Sequence, residues 1–296
     1  MRTDLHQHLW PEEFVTALRG RPEPPRLRGW TLELLGEPAF RVDAADHDPG
    51  RRLDLARADG LGRVLVSLSS PLGIEYLPPR EATPLLDAYH DGAAELPAPF
   101  GAWAAAGLAE VDPGRLEADL RRGFVGLQLP ANALVDRAGY DRCAPLLAVL
   151  EEHDRPLFIH PGSVPPAAAV PGWWPALVPY VQQLHASWFA LRAFGRARHP
   201  RLRVAFTALA GLAPLHGERF VARGGDPARV DRLAFLETSS YGARAVDATV
   251  RAVGIDVVVN GSDRPYAAPV EFCLGAAADH AIVVVNPDRL LYGDRA

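Results

Sequence analysis

His6 and His8 stand one residue apart in Asp4-Leu5-His6-Gln7-His8, at the end of the chain's first strand-like stretch. Side chains two residues apart on a strand point to the same face, and two imidazoles aimed together can hold one cation. Two other ligand-type residues close apolar runs far along the chain. His160 ends Pro156-Leu157-Phe158-Ile159-His160, and Asp263 ends Val257-Val258-Val259-Asn260-Gly261-Ser262-Asp263. Three imidazoles and one carboxylate suit a single divalent ion with water completing its shell. Such a bound water ionises near neutral pH and becomes a nucleophile. The idea requires a fold that brings these strand ends to one place.

The pattern of elements supplies that fold. Short apolar runs fall at 3–9, 63–68, 100–104 (the weakest), 124–129, 156–160, 202–207, 233–237 and 257–263. Helical patterns lie between them, at 49–59, 84–94, 112–122, 140–152 and 243–253, and Asp112-Pro113 is a helix-start signal. Eight strands alternating with helices predict an α/β chain of (β/α)₈ type, a TIM barrel, in which the C-terminal strand ends meet at one mouth. Two stretches exceed a plain barrel unit and read as insertions after strands one and five. Residues 11–52 are rich in Pro, Gly and Arg, and residues 161–200 carry Pro165-Pro166, Trp173-Trp174 and a helical run over 178–194. Both leave the active-site end of the barrel, as a substrate lid, a subunit contact or surface decoration. With no internal repeat or low-complexity linker, residues 1–296 are expected to form a single barrel domain.

Composition narrows the classes. The chain has 296 residues, 48% of them hydrophobic, enough for a large core, and a formal charge of −5 with both signs mixed. No basic block points to nucleic acid, and no apolar run approaches the roughly 20 residues that span a membrane. Two cysteines, Cys143 and Cys273, make no disulfide framework. Met1-Arg2-Thr3 leads directly into the first strand without an apolar leader, so a cytoplasmic location is expected. The expected partner is a small-molecule substrate, and a homodimer is a possible assembly because symmetric dimers are the commonest oligomers.

Asp4-Leu5-His6-Gln7-His8, Phe158-Ile159-His160-Pro161-Gly162 and Gly261-Ser262-Asp263-Arg264-Pro265-Tyr266 resemble signatures of the amidohydrolase superfamily. The branch most resembled includes aminocarboxymuconate-semialdehyde decarboxylase and related aromatic acid decarboxylases. Gly126-Leu127-Gln128-Leu129-Pro130 and Asn286-Pro287-Asp288-Arg289-Leu290-Leu291 extend the likeness to nearly the whole chain. The resemblance implies a distorted barrel with His6, His8, His160 and Asp263 around one catalytic metal, usually zinc in that branch. Members hydrolyse amides, lactones and esters or decarboxylate acids without an oxidant.

One departure bears on the reaction. The family usually carries a histidine at the end of strand six as general acid/base, and here the matching position is Ala208. A methyl group cannot move a proton. His216 in the following segment, His185 on the second insertion and Glu237 at the end of strand seven are the candidates to replace it, with Asp263 itself a further proton carrier. For substrate, Arg264 could clamp a carboxylate or form a structural ion pair. Gln128 could donate to a carbonyl or orient the ligand shell. Trp173, Trp174, Trp188 and Phe189 could wall an apolar pocket or bury the insertion or a subunit contact.

The expected activity is metal-dependent hydrolysis of a small amide, lactone or ester. The alternatives are a zinc-dependent nonoxidative decarboxylase of an aromatic or unsaturated acid and a metal-binding homologue with altered catalysis. Zinc fits the donor set, with manganese and iron also open.

Overall fold

Parallel strands with helices between them close into a barrel in the computed structural model of the chain, which describes residues 1–165, 170–226 and 230–295. The strands are β1 (Thr3–Gln7), β2 (Arg26–Arg28), β3 (Thr31–Glu33), β4 (Phe40–Arg41), β5 (Arg63–Val66), β6 (Phe100–Ala102), β7 (Ala104–Ala105), β8 (Leu127–Pro130), β9 (Leu157–His160), β10 (Val204–Phe206), β11 (Ala234–Glu237) and β12 (Val258–Val259). One parallel sheet runs β1-β5-β6 and a second runs β7 through β12 in order. β6 and β7 are one barrel strand broken at Trp103. The Trp103 N–H donates to the Val66 carbonyl at 2.9 Å, and the Ala104 N–H donates to Gly126 on the other side, also at 2.9 Å. This break explains why the third strand is so weakly marked in the sequence.

The ring closes where β1 meets the chain running out of β12. The Leu5 N–H donates to the Asn260 carbonyl at 3.0 Å, and the Asp263 N–H donates to the His6 carbonyl at 2.8 Å. All eight expected barrel strands are present, and the barrel is distorted. The eighth shrinks to two residues because 260–264 leave the ladder to bond β1 irregularly, with only an isolated bridge between Gln7 and Arg264.

Three of the helices begin where an aspartate caps them. Asp48 accepts from the Arg51 N–H at 2.6 Å at the start of α2 (Pro49–Ala58), after α1 (Glu12–Gly20). Asp112 does the same for Arg115 at 3.0 Å in α4 (Pro113–Arg121), and Asp136 for Gly139 at 2.8 Å in α5 (Arg137–Glu152). α3 (Pro79–Ala94) starts earlier than its sequence pattern suggests, because Pro79 rather than Pro84 occupies the first turn. The first insertion contains α1 and a small antiparallel sheet, β2-β3-β4, which its composition conceals. The second contains α6 (Trp174–Leu177) and α7 (Pro179–Ala190). Pro166, noted in the sequence, lies outside the described residues.

Inside the barrel, Leu5, Leu65, Trp103, Phe158, Ala205, Phe235 and Val259 pack together with Leu290 and Leu291. Trp103 stacks on Phe158 with centroids 4.8 Å apart, and its indole N–H donates to the Leu5 carbonyl at 2.9 Å. Phe158 also meets the edge of His6, at 5.3 Å between centroids. The apolar filling is thus the floor on which the polar strand ends stand.

Candidate metal centre

His6 and His8 leave the end of β1, His160 ends β9, and Asp263 follows β12. One ligand atom from each of the four lies within 4.8 Å of every other. His6 Nε2 and His8 Nε2 are 3.1 Å apart. Asp263 Oδ1 is 3.4 Å from the first and 3.1 Å from the second. The His160 ring centroid is 4.9 Å from that of His6 and 5.1 Å from that of His8. The histidines are buried, while the Asp263 side chain keeps 20% exposure.

The far side of each imidazole decides what the near side can do. His6 Nδ1 faces Glu237 Oε2 at 3.2 Å, His8 Nδ1 the Ser67 carbonyl at 3.0 Å, and His160 Nδ1 the Pro161 carbonyl at 2.8 Å. An acceptor at each Nδ1 assigns the proton there and leaves a lone pair on each Nε2. Two lone pairs 3.1 Å apart repel unless a cation lies between them. Asp263 Oδ1 is buried among them with no hydrogen-bond partner. A converging donor set without hydrogens fits a divalent metal, held by ligands fixed from behind.

The charges agree. Burial pushes His8 below its ordinary value, His6 adds to this, and Asp263 offsets it only in part. Burial, with His6 and His8 beside it, holds His160 well below. Burial alone would lift Asp263, but the three histidines hold it below the ordinary carboxylate range. For His6 burial acts downward, and Asp263 with Glu237 outweighs it. The site is therefore prepared with an ionised carboxylate and neutral imidazoles at two of its three histidines.

Glu237 lies wholly buried behind His6, not at the face the four ligands share. Its Oε2 also accepts from the Ser239 hydroxyl at 2.7 Å and the Ala208 N–H at 3.3 Å. A Cβ on Gly261 would overlap this carboxylate, so glycine there lets the strand end approach it.

Other sequence candidates lie apart from the cluster. Arg264 turns away to Asp59 (2.9 Å), which makes it an ion pair outside the cavity rather than a carboxylate clamp. Gln128 is buried and donates to the Leu68 carbonyl at 2.6 Å and Ser70 Oγ at 2.8 Å, so its NH₂ group is engaged within the wall. Trp173 and Trp174 are 56% and 39% exposed and lean on each other rather than on the cavity. His216 meets His185 at 5.0 Å between centroids, and neither lines the cavity.

The cavity over the four ligands has a volume of about 330 Å³. Leu32, Leu34 and Phe40 wall it from the first insertion, and Leu177, Val181 and Leu184 from the second. Its polar groups include Glu37, Tyr180, Tyr241 and Tyr266, and among the described residues no Lys or Arg lines it. Sequence reasoning missed Glu37 and Tyr180, whose side chains meet only across 143 residues of chain. It also missed Arg52, a buried guanidinium that donates to the His8 carbonyl at 2.7 Å and to the Gln7 side chain. Arg52 gave no local signal because it follows Arg51 on a helix that reads as a solvated face. A buried set of metal ligands at the floor of a cavity is the active site of a metal-dependent enzyme.

No family model matches the chain, and no curated protein does. Solved structures do match across nearly its whole length. An amidohydrolase II structure is 16% identical, covering 98% of this chain and 99% of that one, with a TM-score of 0.75. 2,6-Dihydroxybenzoate decarboxylase from Rhizobium is 20% identical, covering 98% of each chain, with a TM-score of 0.69. A 5-carboxyvanillate decarboxylase variant from Novosphingobium aromaticivorans, with bound manganese and 3-methoxy-4-hydroxy-5-nitrobenzoic acid, is 16% identical. It covers 98% of this chain and 97% of that one, with a TM-score of 0.72. The chain shares the distorted TIM-barrel fold of these amidohydrolase-type proteins. Among the described residues no helix is long and apolar enough to cross a membrane.

Proposed function

We propose that the protein is a metal-dependent carboxy-lyase of the amidohydrolase superfamily, removing carbon dioxide from a small aromatic or unsaturated acid without an oxidant. The observation that carries this reading is the cavity: apolar walls, no lining Lys or Arg among the described residues, and a cation site at its floor. An acid that enters finds one place for its carboxylate. A second carboxylate would meet apolar groups, neutral hydroxyls and Glu37 but no cationic side chain among the described residues, which favours a monoacid. Loss of carbon dioxide spreads the carboxylate charge into the carbon framework left behind, and exchanging water for apolar walls favours that change. Hydrolysis, the activity expected from the sequence, gains nothing from such walls, and the proton that Ala208 cannot provide is needed by both reactions. The decarboxylases among the matching folds support the same choice.

His6, His8, His160 and Asp263 would hold the metal, which when bound supplies positive charge to orient and polarise the acid. Glu237, the Ser67 carbonyl and the Pro161 carbonyl keep the three imidazoles turned toward it. The two insertions supply apolar side chains to the cavity wall. The donor set favours zinc, and manganese is the alternative that metal reconstitution distinguishes.

The test is carbon dioxide release from a panel of hydroxybenzoates and unsaturated monoacids by protein loaded with zinc or manganese. Esters, lactones and amides of matched size are assayed beside it. Release that chelation abolishes and metal restores is the expected result. Ester, lactone or amide cleavage without carbon dioxide would overturn the reading in favour of a hydrolase.

A further inference from the structure

Decarboxylation consumes one proton at the carbon that loses carbon dioxide, and Ala208 offers none. The titratable side chains lining the cavity are the four metal ligands, Tyr180, Tyr241, Tyr266 and Glu37. Burial pushes all three phenols upward, so they hold their protons too tightly to give them up readily near neutral pH. Glu37 remains as the carboxyl that is not a ligand. It stands in the loop between β3 and β4, and the Tyr180 hydroxyl on α7 donates to its Oε1. Its other oxygen has no hydrogen bond among the described residues, and no Lys or Arg pairs with it there. Burial lifts its proton affinity above that of an ordinary carboxyl, against the Tyr180 bond. The preceding residue fixes its place. A Cβ on Gly36 would overlap the Val164 carbonyl oxygen, so glycine allows the loop to seat against the second insertion.

We propose that Glu37 is the proton donor of this site, held by Tyr180 and standing in for the side chain that Ala208 lacks. The inference rests on the carboxy-lyase reading above. In the step, the bond between carbon and the carboxylate breaks and its electron pair stays on the carbon. That pair takes the Glu37 proton to form the new C–H bond, carbon dioxide departs, and the Glu37 carboxylate is reprotonated by water from the mouth.

The experiment compares wild type, Glu37→Gln and Tyr180→Phe, each loaded with metal. Carbon dioxide release, metal per chain and affinity for an unreactive nitro-aromatic monoacid are measured. A proton donor contributes about 10² to 10⁴ in rate. Glu37→Gln is therefore expected to lose at least about a hundredfold in kcat, with metal content and analogue affinity within threefold. Tyr180→Phe removes a donor that favours the ionised carboxyl. Glu37 then keeps its proton to higher pH, and the alkaline limb of the rate moves upward. A merely structural contact would lower the rate without moving that limb. In metal-free protein, the infrared band of a protonated carboxyl that titrates in wild type should vanish in Glu37→Gln. Release by wild type with Glu37→Gln within threefold of it overturns this inference and leaves the carboxy-lyase reading intact. No release by wild type from any acid overturns both.

Discussion

At the scale of single residues, the support behind each ligand matters as much as the ligand. Glu237 touches no open face of the metal site, yet its Oε2 fixes the tautomer of His6 while accepting from Ser239 and Ala208. An amide in its place presents one acceptor instead of two, and its NH₂ group competes with the His6 Nδ1–H. Losing such a partner typically weakens metal binding about 10–100-fold. Glu237→Gln is expected to lower zinc affinity by that factor in a chelator competition, with the far-ultraviolet spectrum unchanged. The same affinity as wild type would show that Phe158 packing and the backbone alone orient His6.

Elements decide which residues meet, and here sequence and structure part company in an instructive way. The barrel and its four ligands were legible because each ligand is a polar residue ending an apolar run, and a closed barrel brings all such ends together. The sheet β2-β3-β4 was not, because its strands have two or three residues each and carry Arg and Glu beside their apolar positions. The two readings of Arg264 and of the tryptophan pair stayed open in the sequence for a different reason. Adjacency to a ligand in sequence does not fix side-chain direction, and the partner of Arg264 lies on the distant Asp59. Glu37 was invisible because only the meeting of the two insertions makes it part of the cavity. That meeting is testable through Gly36, where any side chain collides with Val164 backbone rather than with a yielding side-chain tip. Gly36→Ala is expected to displace the β3–β4 loop and raise KM for the substrate about tenfold or more. Metal content should stay at the wild-type level, since no ligand lies on either insertion. Unchanged KM would show that the loop's seat on the second insertion does not shape the site.

Across the whole molecule, stability and acid sensitivity meet at a buried histidine that binds no metal. His47 lies flat against Trp10 at 4.4 Å between centroids, and its Nδ1 accepts from the Trp10 N–H at 3.1 Å. Nε2 therefore carries the neutral ring's hydrogen, buried without a partner, and a second proton would have to go to Nδ1, against the Trp10 N–H. Burial, with Arg52 and His8 nearby, pushes this imidazole down to about 3. In the unfolded chain it titrates near 6.5. Between those values the unfolded state binds a proton that the folded state refuses. The contribution of His47 to stability is therefore complete above pH 6.5 and is lost as pH falls toward 3, at about 1.4 kcal/mol per pH unit. Glu75 acts in the opposite sense, since burial pushes its carboxyl up to about 7 and the folded state then holds the extra proton. A total pH profile would mix the two, so the comparison is with His47→Asn, whose carbonyl can accept from the Trp10 N–H without titrating. Denaturant unfolding at pH 7 and pH 5 should show the wild type losing about 2 kcal/mol more than the variant over that interval. Equal losses would mean that His47 takes up its proton in the folded state, through an opening of the Trp10 stack.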